Sequence, residues 1–366
     1  MKNKKIIISG GGTGGHIFPA ISIANAIMEM ENNTEILFVG AKGKIEMEKV
    51  PTAGYKIKGL PIRGIERKFT FSNIIVLFNL FISIIKSYLI IKKFKPDAVI
   101  GVGGYASAPV VYVASLLKIP TLLQEQNSFA GVTNKLLSKK AKKICVAYDN
   151  MDKFFSVEKI VKTGNPVREI LYKSEINKKE AYKYFDINEN KKTVLILGGS
   201  GGAKSINEAV INKLDLIKDS NFQFIWQTGK YYYDISKKAI ENKDINNLKI
   251  FDFINKMEYA YSVTDLVISR AGAGTISELC IVSKASILVP SPNVADDHQT
   301  KNAIALLNNN AAILIKDEDA FENLIPKAIE LIKDEELIEK LNANISKMAI
   351  KDSDKLIAKE IFNLLT

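Results

Sequence analysis

The chain has 366 residues, of which 47% are hydrophobic and 25% charged, a balance that excludes a disordered chain and is typical of a globular protein. Its length exceeds what one ordinary core supports and predicts about two domains. The net charge of +11 is uneven, because residues 1–165 carry 24 Lys and Arg against 11 Asp and Glu, whereas residues 166–366 carry 27 against 29.

The basic first half is compatible with an anionic membrane surface or with nucleic acid, and charge alone does not separate the two. The two cysteines, Cys145 and Cys280, lie in apolar stretches without metal-ligand spacing, so we expect buried free thiols in a reducing compartment. The apolar run Ile6–Ile8 is too short for a signal peptide. A cytoplasmic protein is therefore expected.

The first predicted unit is the strand Ile6–Ile8, the glycine-rich turn Gly10–Gly15 and a helix over Ile17–Met30. This order places unpaired helix amides at a close-approach turn, which suits a phosphate group. The turn fits the dinucleotide pattern weakly, because no carboxylate follows the second predicted strand until Glu46. His16, at the mouth of the turn, indicates acid–base chemistry, although an ordinary histidine without a role fits as well.

A basic, glycine-containing loop region is predicted over residues 40–68, followed by an apolar segment, Phe71–Ile91. Three alternatives remain open for this segment: a core helix, a helix with one face on lipid, and a membrane span. Lys86 within it argues against a span. A collar of basic residues favours a peripheral membrane face. The collar consists of Arg67, Lys68, Lys92, Lys93 and Lys95, and the membrane face of Ile75, Phe78 and Phe81.

Strands and helices then alternate, with glycine turns after strands near residues 10 and 101 and again near 198 and 272. The turn at 198–205 is not an ATP-binding loop, because Ala203 stands where that motif needs glycine. The alternation predicts an α/β protein with two Rossmann-like, doubly wound parallel sheets facing each other across a cleft. The expected domains are 1–163, 164–345 and a C-terminal helix, 346–366, that packs back on the first. Asp296 and Asp297 lack a third ligand, so no metal is predicted.

Seven motifs, in order along nearly the whole chain, resemble the MurG family of N-acetylglucosaminyltransferases of bacterial peptidoglycan synthesis. They are Gly11–His16, Gly103–Tyr105, Glu125–Asn127, Gly164–Arg168, Gly198–Ala203, Ser269–Ala273 and His298–Ala303. The resemblance implies a GT-B fold and inverting transfer of GlcNAc from UDP-GlcNAc to the 4-hydroxyl of MurNAc in undecaprenyl-pyrophosphoryl-MurNAc-pentapeptide. The resemblance implies no cofactor. It also implies a peripheral enzyme on the cytoplasmic face of the membrane.

By position, the resemblance also assigns roles to residues. His16 becomes the general base, Ser200 and its neighbouring amides hold the diphosphate, and Glu278 holds the ribose. Ile254 offers its backbone to uracil, and Gln299 bonds the sugar hydroxyls. The remaining donor-side or acceptor-side residues are Thr13, Gly14, Gly15, Asn127, Arg168, Ala273, Gly274 and Thr275, and the acceptor-pyrophosphate loops comprise Gly12, Gly103, Gly104 and Tyr105.

Two other functions stay open. A GT-B-like UDP-GlcNAc epimerase would need extra carboxylates and no lipid face. A nucleotide-binding module attached to membranes would need no His16. An RNA partner is not expected, because few aromatic residues interleave the basic first half and no RNA-binding motif is present.

Overall fold

The structure, a computed structural model, describes residues 3–64, 72–241 and 243–365. The described chain forms two compact units. Unit 1 contains the residues up to Val167 together with those from Asp352 onward, and unit 2 is Arg168–Lys351. The divisions fall after residues 167 and 351, where the sequence-based ones are after 163 and 345.

Unit 1 is built on a parallel sheet of seven strands within the described residues, in the spatial order β3-β2-β1-β4-β5-β6-β7. Each strand pairs in parallel with its neighbours, as near-continuous apolar runs buried on both faces require. The strands are β1 Lys5–Ser9, β2 Glu35–Ala41, β3 Lys56–Leu60, β4 Ala98–Gly101, β5 Thr121–Glu125, β6 Lys143–Val146 and β7 Ile160–Lys162.

Helices cover both faces of this sheet, because successive side chains of a strand point to opposite sides. Ile6 and Ile8 of β1 pack with the first helix, whereas Ile7 packs with the third, fourth and fifth. The helices are α1 Gly14–Met30, α2 Glu46–Thr52, α3 Ser72–Phe94, α4 Ser107–Leu116 and α5 Val132–Ser138, with 3-10 turns at Met151–Lys153 and Val157–Lys159.

Unit 2 repeats the plan with six parallel strands among its described residues, in the order β10-β9-β8-β11-β12-β13. The strands are β8 Thr193–Leu197, β9 Gln223–Gln227, β10 Leu248–Phe251, β11 Leu266–Ser269, β12 Ser286–Leu288 and β13 Ile313–Leu314. The helices are α6 Ile170–Lys173, α7 Lys178–Phe185, α8 Lys204–Asn212, α9 Leu214–Lys218, α10 Tyr233–Ile240, α11 Met257–Ser262, α12 Ala273–Val282, α13 His298–Leu307, α14 Ala320–Leu331 and α15 Glu335–Ser346, with 3-10 turns at Ala295–Asp297 and Asp317–Asp319. Two parallel α/β sheets confirm the predicted fold class.

The C-terminal helix, α16 (Ser353–Asn363), lies on unit 1 although it follows unit 2 in the chain. It packs against α1, and its fully buried Ile357 and Ile361 join the core beneath that helix. Lys355 also pairs with Glu29 of α1 at 3.0 Å.

The sequence-based interpretation of residues 40–68 as a loop region was wrong over its described part, which contains α2 and β3. Both elements are short, and β3 lies at the sheet edge with Lys56 and Lys58 alternating with apolar residues. Such short elements carry too few periods for a pattern to predict them. The collar residues Arg67 and Lys68 lie outside the described residues.

Candidate active site

In each unit, the paired glycine turns follow two neighbouring strands at the place where the strand order reverses. β1 and β4 are adjacent, and β2 and β5 lie outward on opposite sides. β8 and β11 hold the same positions in unit 2. Ligands of open parallel sheets bind at such a reversal, outside the carboxyl ends of the strands. Each unit therefore presents one ligand-binding edge, bordered by two glycine turns.

The first turn of unit 1 is held by a buried carboxylate. Glu46, fully buried at the start of α2, accepts the backbone N–H of Gly12 at 3.0 Å and that of Ala41 at 2.9 Å. In the dinucleotide pattern the acid after the second strand binds a ribose. Here it binds the glycine turn itself, which the sequence analysis missed.

His16 lies in the first turn of α1, half-buried, with Nδ1 3.1 Å from Gln126 Oε1. Its ring lies against the second glycine turn. A Cβ built at Gly103 would be 2.9 Å from His16 Nδ1, and one at Gly104 would be 3.3 Å from Cδ2. Both glycines have positive φ, of 90° and 75°, so neither position readily accepts a side chain. The structure thus brings together the two turns that the sequence pointed to.

The other residues that the sequence analysis placed on the acceptor side surround the same turn. Thr13 is the residue before α1, and Gly14 and Gly15 are its first two residues. Tyr105 lies over Gly12, where a Cβ would be 3.2 Å from the phenol oxygen. Backbone amides and one phenol therefore line this edge.

Asn127 lies in the loop after β5, and the buried carboxylate of Glu125 holds that loop. Glu125 accepts the N–H of Asn127 at 3.1 Å, the N–H of Gly131 at 3.0 Å and Nδ2 of Asn134 at 2.9 Å. Glu125 is only 2% exposed. Glu125, the last residue of β5, therefore holds the loop in which Asn127 lies.

In unit 2, the turn after β8 is open at its tip. Ser200 and Gly201 are exposed, and α8 begins at Lys204. Gly199 and Gly202 have positive φ, of 76° and 90°. The turn thus presents backbone amides at a helix N-terminus, the arrangement that binds phosphate.

The other glycine turn of unit 2 lies between β11 and α12. Helix α12 starts with Ala273, Gly274 and Thr275. A Cβ at Gly274 would meet no atom within 4 Å, so the space in front of this turn is open. The first turn carries no acidic residue. Its amides therefore keep their partial positive charge for a ligand.

Glu278 lies in the second turn of α12 and belongs to a charged cluster. Its Oε1 accepts Nε and Nη2 of Arg168 at 3.0 and 2.9 Å, and its Oε2 accepts the hydroxyl of Tyr261 at 3.1 Å. Burial and the Glu278 carboxylate raise the pKa of Tyr261 well above its ordinary value. Glu278 thus lies one turn beyond the start of α12.

Ile254 and Gln299 each have one hydrogen-bonding group in use. β10 ends at Phe251, so Ile254 lies in the following loop. It is 3% exposed, and its N–H donates to Gln227 Oε1 at 2.9 Å. Gln299 accepts the N–H of Ser291 through Oε1 at 2.8 Å.

A further cluster in unit 2 joins three loops at the carboxyl ends of its strands. Arg270, directly after β11, donates to the carboxylate of Asp317, to Ser205 Oγ at 3.0 Å and to the carbonyl of Val289 at 3.0 Å. These partners lie in α8, before α14 and after β12. No local pattern indicates such a long-range cluster, and the sequence analysis missed it.

Metal-binding side chains do not cluster in the part of the chain that the structure describes, where no group of three His, Cys, Asp or Glu could hold an ion. At the Asp296-Asp297 pair, His298 Nε2 lies 3.8 Å from Asp296 Oδ2. Both cysteines are buried, and burial raises each thiol pKa to about 12, which keeps them protonated.

Helix α3 buries one face and exposes the other. Ser83, Ser87 and Ile91 are fully or almost fully buried, whereas large apolar side chains lie on the outer face. Those exposed include Ile75 (61%), Leu77 (61%), Phe78 (63%), Phe81 (61%) and Leu89 (59%). This excludes a core helix that is buried all round. Residues 75–94 are long and apolar enough to cross a membrane by length and composition.

Comparisons with known proteins agree with this architecture. Residues 6–146 match the glycosyltransferase family 28 N-terminal domain, and residues 193–361 match the glycosyltransferase family 28 C-terminal domain. A solved structure of Acinetobacter baumannii MurG superimposes with a TM-score of 0.81 at 28% identity, over 98% of this chain and 99% of that one. A UDP-GlcNAc 2-epimerase from Neisseria meningitidis, at 15% identity and a TM-score of 0.66, is similar in fold alone.

Two relatives match over nearly their full length. Both are named UDP-N-acetylglucosamine--N-acetylmuramyl-(pentapeptide) pyrophosphoryl-undecaprenol N-acetylglucosamine transferase. The one from Phocaeicola vulgatus is 57% identical over 99% of this chain and 97% of its own. The one from Bacteroides thetaiotaomicron is 54% identical over 99% and 98%. The chain therefore belongs to the MurG family of glycosyltransferases.

Proposed function

We propose that the protein transfers GlcNAc from UDP-GlcNAc to the 4-hydroxyl of MurNAc in undecaprenyl-pyrophosphoryl-MurNAc-pentapeptide, with inversion, in peptidoglycan synthesis. The observation that carries the proposal is the identity above 50%, along the whole chain, to relatives named for this activity. The geometry of both ligand-binding edges supports it.

On unit 2, we assign the donor. The diphosphate lies at Ser200 and the open amides of Ala273–Thr275. Departure of UDP builds negative charge on that diphosphate, and two helix N-termini stabilise the charge. Glu278, oriented by Arg168 and Tyr261, accepts the ribose hydroxyls. Ile254 offers its carbonyl to uracil, because its N–H already donates to Gln227.

Around the sugar, Gln299 keeps its side-chain NH₂ directed to the GlcNAc hydroxyls while its oxygen holds Ser291. On unit 1, Asn127 contacts the sugar. The amides of Thr13–Gly15 and the turn Gly103–Tyr105 bind the acceptor pyrophosphate, next to Gly12, whose own N–H donates to Glu46. His16 takes the proton from the acceptor hydroxyl as that oxygen attacks the anomeric carbon.

We further infer that α3 docks unit 1 on an anionic membrane surface. The outer side chains of α3 are joined by Tyr112 and Leu116 of α4, which packs beside α3 on the same sheet face. Exposed apolar residues of this kind insert at the headgroup boundary, and the exposed Lys92 and Lys93, with the half-buried Lys86, attract anionic lipid. The enzyme would then work as a peripheral protein at the cytoplasmic face.

Release of UDP tests the proposed reaction. With UDP-GlcNAc and a short-chain analogue of the lipid-linked acceptor, we expect UDP and a disaccharide product in equal amounts. UDP release without acceptor would instead indicate hydrolysis or epimerase chemistry. Binding of UDP-GlcNAc without any turnover would indicate a binding module.

Replacing the proposed base should separate chemistry from binding. We expect His16→Ala to lower kcat by roughly 10²-fold or more, because the variant lacks the proposed base. Calorimetry should show unchanged affinity for UDP-GlcNAc, which is assigned to unit 2. Near-normal turnover would remove His16 from this role.

The ribose assignment predicts a donor-specific defect. Glu278→Gln should weaken UDP-GlcNAc binding by about tenfold or more, since a hydrogen bond to a charged group contributes about 1.5–3 kcal/mol. Tyr261→Phe is the matched control, because it removes one partner of Glu278 and keeps the carboxylate. Equal, small effects of both changes on the dissociation constant would contradict the assignment.

The membrane assignment is tested with vesicles containing anionic lipid. Changing Ile75, Phe78 and Phe81 together to serine should reduce vesicle binding in a flotation assay. The control changes three exposed apolar residues of unit 2 to serine: Ile235 (60%), Leu307 (43%) and Phe321 (46%). Unchanged binding of the first variant, or equal loss in both, would reject α3 as the docking face.

A further inference from the structure

The contact between His16 and Gln126 decides which ring nitrogen of the imidazole carries the proton. Nδ1 of His16 lies 3.1 Å from Oε1 of Gln126. A neutral imidazole has one N–H, on either ring nitrogen, and the hydrogen bond made by one nitrogen decides the tautomer. The question is therefore which end of the Gln126 amide faces the ring.

A backbone carbonyl fixes the orientation of that amide. Nε2 of Gln126 lies 2.7 Å from the carbonyl oxygen of Val102, which can only accept a hydrogen bond. The reverse orientation would place two acceptor oxygens against each other. Because Gln126 is only 2% exposed, such an unpaired contact would be costly. Oε1 therefore faces His16.

A second carbonyl fixes the same direction independently. Nδ2 of Asn165 donates to the backbone oxygen of Gln126 at 3.0 Å, which leaves Oδ1 of Asn165 to accept from Gln124 Nε2 at 2.9 Å. Oε1 of Gln124 then accepts the second hydrogen of Gln126 Nε2. Gln124 and Asn165 are 0% and 4% exposed. Every donor in this buried chain of amides thus points away from His16, and an acceptor points towards it.

We propose that Gln126 is a positioning residue that holds the His16 proton on Nδ1, so that Nε2 carries the lone pair that removes the acceptor proton. This rests on the proposed role of His16 as general base. In the step, the acceptor hydroxyl proton moves to Nε2 and its oxygen bonds to the anomeric carbon. The bond from that carbon to the diphosphate breaks, and UDP leaves with the electron pair. Nδ1 keeps its proton throughout.

The tautomer can be observed directly in the full chain, because it contains only two histidines. Protein labelled with ¹⁵N-histidine is examined at pH about 8.5, above the ordinary imidazole pKa, by long-range ¹H–¹⁵N correlation. In the His298→Asn variant, the only imidazole signals are those of His16, which assigns them. We expect the pattern of the Nδ1–H tautomer. The Nε2–H pattern, or the mixture shown by free histidine, would overturn the proposal.

Two variants separate the effect of the hydrogen-bond acceptor from the effect of a disturbed local fold. Gln126→Leu removes the oxygen that faces Nδ1, whereas Gln124→Leu removes a neighbouring buried amide of the same chain and leaves Gln126 Nε2 on the carbonyl of Val102. We expect Gln124→Leu to preserve the Nδ1–H tautomer, and Gln126→Leu to shift it towards Nε2–H and lower kcat by about tenfold at unchanged affinity for UDP-GlcNAc. The same tautomer in wild type and the Gln126→Leu variant would overturn the proposal.

The NMR spectrum does not depend on turnover. The role of His16 as the base and the role of Gln126 in holding its proton can therefore be rejected independently. A His16→Ala variant with normal kcat would reject the base, whatever the tautomer. An Nε2–H spectrum combined with an inactive His16→Ala variant would reject the role of Gln126 alone.

Discussion

Both candidate ligand-binding edges depend on one constraint of parallel sheets: all carboxyl ends lie at one edge, and the chain leaves neighbouring strands in opposite directions only where the strand order reverses. β1 with β4, and β8 with β11, occupy those reversals. Glycines at both places let the backbone come close to a ligand, and helices start immediately behind them. The resulting edges present backbone amides, whose fixed positive potential needs no rearrangement when an anion arrives.

Buried side chains then shape each edge differently. In unit 1, Glu46 and Glu125 have carboxylates that accept backbone N–H groups and hold loops. An amide chain without formal charge, ending in Gln126, lies behind His16. In unit 2, ionic side chains lie beside the helix ends, with Arg168 on Glu278 and Arg270 on Asp317. In the proposed reaction, the first edge serves proton transfer and the second holds an anionic nucleotide.

Much of this arrangement could be predicted from the sequence, because its signals are local. Short runs of β-branched residues before glycines predicted β1 and β8, and helical periodicity predicted α1. The apolar run over α3 predicted a long helix, although only the structure shows that its two faces differ in burial.

The remaining features depend on partners far apart in the chain. Glu46 does not fit the ribose-binding position of the dinucleotide pattern, because its partner is the N–H of Gly12, 34 residues away. The amide chain of Gln124, Gln126 and Asn165 joins the end of β5 to a turn about 40 residues later. Arg270 and Asp317 are likewise 47 residues apart. No periodicity or local propensity encodes such pairs, whereas α2 and β3 were missed because they are short.

The central claim is that strand-end amides of unit 2 hold the donor nucleotide. Hydrogen–deuterium exchange of the full chain with and without UDP tests it most directly. The account predicts slower exchange in residues 198–205 and 272–278 on adding UDP, with residues 10–16 unchanged. Protection confined to residues 10–16, with the two unit 2 segments unaffected, would contradict it.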